Sequence, residues 1–382
     1  MRAEPTAVVV GAGIAGLATA LSLHRAGWRP VVVEHAPYRR TGGYVVNFAG
    51  IGYDAAERLG LLPALRARNL VYDELRYLDD DREVRLSAAT QRALLGPRAL
   101  NLMRGDIEHV LHEALAGEVE IRYATTVTDI RQDPDAVHVT FSDGTRGTAD
   151  LLLGADGLHS TVRRQVFGPE RDHRLDLDHL IAVYELDRAP REVPPRTSVS
   201  YNVPGRQVAV AHLGDGRTIA FFAHRSTRPD AELAAGPRRT LPDVYGDLGW
   251  VVPDLLSRVP DRESIYFDMV SQIRMAAWHR GRVAVLGDAA WCVTLFAGYG
   301  SSLAVGGANR LGDMLAQLPD VPTALRAWDV ELRPHVLRKQ RAGRRARSLF
   351  VPADAVRLRL RQASLRVASS PLVTRVLSRR SA

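Results

Sequence analysis

Six residues near the start of the chain, Gly11-Ala12-Gly13-Ile14-Ala15-Gly16, have the types and spacing that can hold a pyrophosphate. The first glycine permits a tight turn. The second lets a phosphate approach the backbone, and the third allows a helix to pack closely on a strand. The first N–H groups of a helix have no partner within it, so those of Ile14 and Ala15 can face the anion together with the positive end of the helix dipole. Glu34, followed by His35, ends the next apolar run, where an acid can bind the ribose hydroxyls of a dinucleotide. Such a hexapeptide carries weight only between a strand and a helix. Here an apolar strand, Ala7 to Val10, precedes it, and a helix from Ile14 to Ala26, closed by Gly27, follows. The second strand, Pro30 to Glu34, is an unbroken β-branched run, as expected of a parallel strand covered on both faces.

Two more glycine–aspartate segments lie far along the chain. One is Asp150-Leu-Leu-Leu-Gly154-Ala-Asp156-Gly157, followed by Ser160, Val162 and Arg163. The other is Gly287-Asp288-Ala289-Ala290, leading into Phe296-Ala297-Gly298-Tyr299-Gly300. Between the first and second motifs, Met103-Arg104-Gly105-Asp106 opens a helix over 106–116, and Arg40 precedes the pair Gly42-Gly43.

In this order and at these separations, the three motifs resemble the para-hydroxybenzoate-hydroxylase-like family of single-component flavoprotein monooxygenases. That family includes the tetracycline-inactivating and aromatic polyketide hydroxylases, and the resemblance spans most of residues 5–345. It implies non-covalent FAD, NADPH or NADH as co-substrate, and dioxygen. Arg40 and Arg104 would contact FAD, and Asp156 with Gly157 would lie near its pyrophosphate and serve NAD(P)H use. Asp288 would contact the ribitol. The helix starting near Gly298, with Gly300, Ser301 and Ser302, would point its N-terminus at the flavin pyrimidine, where reduced flavin carries negative charge. The implied reaction is hydroxylation of an aromatic or polyketide-like small molecule through a flavin C4a-hydroperoxide, in specialised metabolism. Members commonly carry histidine after the GDAA motif and one or two prolines before the glycine turn. This chain instead has Trp291, Cys292, Val293, Thr294 and Leu295. That departure keeps a flavin oxidase or dehydrogenase, or a non-catalytic flavoprotein, as alternatives.

Substrate contacts are expected from the middle of the chain, where 168–274 reads as a separate antiparallel sheet with a helical insertion. Tyr201 and Phe222 from that sheet, with Asn47, Leu295 and Phe296, are the candidate substrate residues. His212, His224 and Tyr299 are the candidate catalytic groups, the histidines as bases toward a phenol.

These elements predict an α/β fold. A Rossmann-like FAD domain (1–167 and 275–343) would hold an interposed antiparallel β-sheet substrate domain (168–274), and a basic helical tail (344–382) would follow. Residues 118–148 read as a β-meander. The chain of 382 residues carries a net charge of +8, but fourteen basic residues and one acid fall between Arg333 and Ala382, so the rest is net acidic. That distribution speaks against nucleic acid. The tail can form a helix with an apolar stripe at Val356, Leu360, Ala363 and Val367, expected to pack on the body rather than on a membrane, with Arg357 and Arg361 on a solvated face. One cysteine, Cys292, cannot form an internal disulfide, which fits a cytoplasmic setting. The sequence carries no spacing typical of metal ligands.

Overall fold

The computed structural model describes residues 4–39 and 43–370. Short apolar runs build its central sheet. Thr6–Val10, Arg29–Val33 and Leu151–Gly154 lie among six strands ordered His279–Arg280, Val283–Val285, Leu151–Gly154, Thr6–Val10, Arg29–Val33, Glu120–Arg122. The edge pair, His279–Arg280 with Val283–Val285, is antiparallel, and the other neighbours are parallel. Val10 lies opposite both Val33 and Gly154, so three strands finish level. The glycine turn leaves the sheet there, and in open α/β sheets the crevice beyond the strands' carboxyl ends takes the ligand.

Helix Ile14–Arg25 follows the turn, and helix Gly300–Gln317 packs directly against it. That approach is close enough for a Cβ at Gly312 to sit 2.9 Å from the Ser22 carbonyl oxygen. Helix Arg104–Ala114 runs close to its expected bounds. The expected meander divides. Glu120–Arg122 joins the central sheet, while Val127–Gln132, Val137–Phe141 and Arg146–Ala149 form a separate antiparallel sheet.

The middle of the chain supplies most of a seven-stranded sheet, ordered Tyr266–Ile273, Arg174–Leu186, Thr218–Arg225, Arg206–His212, Thr197–Val203, Glu74–Leu78, Glu83–Ser87. Its last two strands come from outside 168–274, and Thr197–Val203 pairs with Glu74–Leu78 in parallel, so the sheet is mixed rather than wholly antiparallel. Their signal is weak because Glu74, Arg76, Glu83 and Arg85 interrupt the apolar pattern. Helices Pro229–Ala235, Pro237–Tyr245 and Val252–Ser257 form the expected insertion, which covers the outer face of this sheet on Tyr184, Val208, Val210 and Phe222. The inner face, with Ile181, Val183, Ile219 and Ala223, packs toward Met103 and Phe296 on the nucleotide side.

The chain ends in two helices. Val321–Phe350 runs without a break through 343–344, where a separate tail segment was expected to begin. Ala355–Ser369 follows, its N-terminus capped by Asp354, which accepts from the Arg357 N–H at 2.8 Å. Its orientation reverses the expected one. Val356, Leu360 and Val367 are 65%, 66% and 63% exposed, whereas Leu358, Arg361 and Gln362 are buried against the body. The inner face of strand Glu83–Ser87 offers a surface to which a mixed apolar and polar helix face fits. Among the described residues, no helix is long and apolar enough to cross a membrane.

Candidate active site

The three glycines of the first turn have different jobs. Gly11 has φ +104, and a Cβ there would lie 2.6 Å from the Ala155 carbonyl oxygen. A Cβ on Gly16 would sit 1.8 Å from the Gly11 oxygen, so this glycine closes helix onto strand. Around Gly13 the nearest atoms are side-chain ends of Glu108 at 3.5 Å and Arg104 at 3.6 Å. Its small size keeps space open rather than satisfying protein packing. Glu34 reaches back to this turn, with Oε2 accepting from the Ala12 N–H at 2.8 Å and Oε1 from the Ala36 N–H at 2.9 Å. The His35 Nδ1 lies 2.8 Å from the same Oε1.

Beyond the turn lies a deep cavity between the central sheet and the inner face of the seven-stranded one. Its walls include Gly13, Ile14 and Ala15, then Arg104, Gly157, Asp288 and Leu295, and the 298–301 turn. The fold thus brings together residues nearly 290 positions apart. Asp288 begins the short helix Asp288–Trp291, directly after Gly287 at φ +62. Its side chain is accessible, yet protein surrounds it on every side, so the surface it exposes is cavity surface. This environment raises its carboxyl pKa, with burial the main cause and the Arg104 charge and the Cys292 thiol pulling the other way. Arg104 has the same double character. Burial opposes its charge, but Glu108, 2.6 Å away, and further acidic neighbours keep the guanidinium firmly protonated.

Three cavity residues were not among the candidates read from the sequence. Tyr44 and Tyr266 face each other with ring centroids 5.9 Å apart. Burial pushes the Tyr44 hydroxyl up to about 12 and raises that of Tyr266 as well, so both are proton donors at neutral pH. Cys292 also lines the cavity. Burial, then the Asp288 charge, raise its thiol pKa, which leaves it protonated and a poor nucleophile. Tyr44 stands beside Gly43, the one local hint; Tyr266 has none.

The remaining expected residues divide. Gly298 takes the left-handed conformation at φ +57 and Gly300 begins its helix, both on the cavity wall with Ser301. Ser302 is fully buried instead, its hydroxyl accepting from the Ala49 N–H at 3.0 Å, and ties the helix to strand Val45–Ala49. Tyr299 lines the cavity; its hydroxyl accepts from the Ile51 N–H at 3.3 Å, and the Lys339 ammonium sits 3.5 Å from its ring centre. The Asp156 carboxylate is engaged by the Ser160 hydroxyl at 2.5 Å and the Thr161 and Val162 N–H groups at 2.7 and 3.1 Å, so it holds the start of helix Thr161–Phe167. Arg40 lies outside the described residues.

Of the substrate candidates, Leu295 lines the cavity and Phe296 packs just behind it against His179 and Phe350. Asn47, on strand Val45–Ala49, is not on the cavity wall, and its buried amide nitrogen has no partner among the described residues. Four candidates from the middle sheet point the other way. Phe222 and Tyr201 join the outer cluster, Phe222 stacked on Tyr184 and Tyr201 packed on Trp250. His224 contacts Glu232 at 2.8 Å and Tyr245 at 3.2 Å beneath the helical cover. His212 shares the face of Val208 and Val210 and contacts the Val193 carbonyl at 3.2 Å. Side chains alternate along a strand, so a frame shifted by one residue moves every candidate to the opposite face. The inward residues are their neighbours Phe221, Ala223 and Ala211, together with His179 on the next strand.

Similarity to known proteins agrees with this geometry. An uncharacterized protein of Mycobacterium tuberculosis (strain ATCC 25618 / H37Rv) is 33% identical over 347 residues, 88% of this chain and 91% of its own. A flavin-dependent monooxygenase of Legionella longbeachae serogroup 1 (strain NSW150) is 27% identical over 356 residues, covering 91% of this chain and 90% of that protein. Among solved structures, the tetracycline destructase Tet(55) superposes with a TM-score of 0.83 at 26% identity, over 98% of both chains. Residues 4–320 match the FAD binding domain family, and the chain belongs to that family.

Proposed function

We propose that this protein is an FAD-dependent monooxygenase that uses NAD(P)H and dioxygen to hydroxylate an aromatic or polyketide-like small molecule. The observation that carries the reading is the cavity itself. One wall holds the groups that suit a dinucleotide, and the opposite wall, with Ile181 and Val270, is the apolar inner face of a second sheet, which Leu295 meets from the turn after Asp288. A site for a cofactor alone would not need that second wall. Its relatives, including the Legionella flavin-dependent monooxygenase, support the same reaction class.

The residues fit FAD. The room beside Gly13 suits a pyrophosphate, which the N–H groups of Ile14 and Ala15 can meet. Glu34 retains lone pairs for a ribose, and Asp288 at the cavity wall can accept from ribitol hydroxyls. Arg104 compensates phosphate charge. Helix Gly300–Gln317 presents its positive end to the cavity, where negative charge on the reduced ring would be stabilised. Bound FAD supplies the redox chemistry: it accepts hydride from NAD(P)H and activates dioxygen, one oxygen atom entering the substrate and the other leaving as water. The chain orients the substrate and excludes water with its apolar wall. Tyr44 and Tyr266 hold protons at their hydroxyls and can donate hydrogen bonds to a bound anion or carbonyl.

The test is anaerobic mixing of the FAD-loaded protein with NADH or NADPH, with and without candidate phenols and polyketides, followed by admission of air. The monooxygenase reading expects flavin bleaching accelerated by a ligand and a product heavier by one oxygen. Ligand-independent bleaching with all electrons recovered as hydrogen peroxide would instead identify an oxidase, the second reading. The segment Trp291–Leu295 favours that alternative, since it lacks the histidine and proline common in the family.

A further inference from the structure

Arg361, on the terminal helix, is a buried cation that the fold pairs on one side only. It is 7% exposed. Its Nη1 donates to the Asn202 side-chain oxygen at 3.0 Å and to the carbonyl oxygens of Leu349 and Phe350 at 3.1 and 3.2 Å. Its Nε and Nη2 have no partner among the described residues. The Tyr77 ring centre lies 5.5 Å from the guanidinium carbon, and Asp79 influences the charge from further off, without an ion pair among the described residues. These two nitrogens form one edge of the guanidinium, the edge that takes both oxygens of a carboxylate in parallel. Gln362 beside it is fully buried with neither amide atom partnered among the described residues, and the Gln207 side-chain oxygen is in the same condition. A buried charge without a counter-ion is a costly arrangement, and an arriving anion removes the cost.

The sheet connects this cluster to the cavity. On the inner face Asn202 lies opposite Gln207, Gln207 opposite Ala223, and Ala223 opposite Ile181, which lines the cavity. Three strand spacings separate Ile181 from Asn202, roughly 14 Å. The floor between them is made by Gln207 and Ala223, with Ala209 and Phe221 in the adjoining row. Phe296 packs over Ile181 and Ala223 and meets the Phe350 ring at 5.3 Å; the carbonyl of Phe350 is one of those held by Arg361. We propose that Arg361 anchors the acidic end of an elongated planar substrate, whose carboxylate or enolate sits on Nε and Nη2 while its other end reaches the cavity wall at Ile181. Val351, which packs with Phe296 in the cluster of Ile181 and Ala223, would move aside with Phe296 and Phe350, whose rings would line the substrate's flat faces. Which end reacts rests on the monooxygenase reading above; anion binding does not.

The test uses calorimetric titration of the oxidised, FAD-loaded protein with anthraquinone-2-carboxylate and its neutral carboxamide, without nicotinamide. The wild-type protein should bind the carboxylate at least about tenfold more tightly, which is about 1.4 kcal/mol. Arg361→Met should abolish that preference and leave carboxamide affinity unchanged. Arg361→Lys, which keeps the charge but loses the fork, should retain part of it, and it serves if the methionine variant does not fold. Absence of a carboxylate preference in the wild-type protein, whether or not the carboxamide binds, overturns the proposal. So does a preference that survives Arg361→Met or stays undiminished in Arg361→Lys. A protein that shows the preference yet oxygenates nothing would sink the functional reading and leave this site standing.

Discussion

Thr294 offers a direct test of the cavity floor. It has φ +81 and ψ 147, a conformation that β-branched residues essentially never adopt, and it lies on the cavity wall. Strain of this kind costs about 1–3 kcal/mol. Glycine at 294 removes that strain but adds about 0.5–1 kcal/mol of backbone entropy relative to alanine. Alanine keeps the strain. Both variants lose the threonine methyl, which packs where a Cβ on Gly343 would come within 2.6 Å of it; that loss is about 1 kcal/mol. They also lose a long hydrogen bond, the hydroxyl accepting from the Phe296 N–H at 3.4 Å. Thr294→Ala should therefore fall about 1 kcal/mol or more below the wild-type protein, while Thr294→Gly should stay within about 1 kcal/mol of it. The usual order, alanine more stable than glycine, is inverted. Urea unfolding of the three FAD-loaded proteins, read by flavin fluorescence, measures it through the midpoints. Alanine equal to or above glycine would show that the loop does not hold this conformation and would remove the argument. Thr294→Pro, which imports the family's residue, should cost more still, because proline fixes φ near −65°.

The two glycines of the first turn should fail differently. Gly16→Ala places a Cβ 1.8 Å from the Gly11 oxygen and should cost folding itself, read as loss of soluble protein. Gly13→Val should give folded, colourless protein, read as normal circular dichroism with flavin content down at least about tenfold; full flavin content would refute the phosphate assignment. Asp288→Asn should weaken FAD binding by roughly 1.5–3 kcal/mol, as loss of a charged acceptor does. In the flavin-free protein the same change should speed alkylation of Cys292, because the Asp288 charge helps raise that thiol's pKa; an unchanged rate would separate the two groups. Burial lowers the pKa of both His179 and His224, so the folded state resists their protonation. Stability from these sites is present above the unfolded value of about 6.5 and declines as pH falls below it. His159 works oppositely: its hydrogen bond to Asp268 raises its pKa, so its contribution is complete below about 6.5 and is lost as pH rises through the folded value. Urea midpoints between pH 5 and 8 for His224→Gln and His159→Gln should show these opposite slopes removed.

The nucleotide half was legible because its strands are buried on both faces, so they read as apolar runs with the glycines between them. Val8, Val9 and Val10 need no partner elsewhere in the chain to be recognised as strand. The seven-stranded sheet was legible as strands but not as faces. Helices cover Val208 and Phe222 on one side, and the nucleotide half covers Ile219 and Ala223 on the other. Alternation then says that two faces exist and not which one meets the cavity, so His212, His224, Tyr201 and Phe222 were read in the wrong frame. The terminal helix failed for a related reason. Its most apolar stripe, Val356, Leu360 and Val367, is outside because the surface it packs on, strands Glu83–Ser87 and Thr197–Val203, includes the polar Asn202, which takes Arg361. Tyr44 and Tyr266 were invisible because only the fold makes them neighbours.

What makes the altered segment after Asp288 tolerable lies on the long helix. Lys339 sits over the Tyr299 ring. Gln340 donates to the carbonyls of Ile273 and Cys292 at 2.7 and 3.3 Å. Gly343 lets the helix backbone approach Val293, Thr294 and Ala297 so closely that a Cβ would lie 2.6–3.1 Å from all three. One turn further on, Ala346 packs with the cluster around Phe296, and Phe350 meets that ring. From the pair Lys339 and Gln340, the residues Gly343, Ala346 and Phe350 follow at intervals of three to four, so the set shares one side of the helix. A strained residue persists only where its surroundings over-determine it, and this stripe does so for Thr294 from Cys292 to Tyr299. A proline before the glycine turn fixes backbone by its own ring; here an external helix imposes the shape, and threonine can stand in a conformation it would not choose. The same helix ends at Phe350, whose carbonyl Arg361 holds. The floor of the flavin cavity and the buried arginine are therefore two ends of one braced unit, and a ligand that moves Phe350 acts on both.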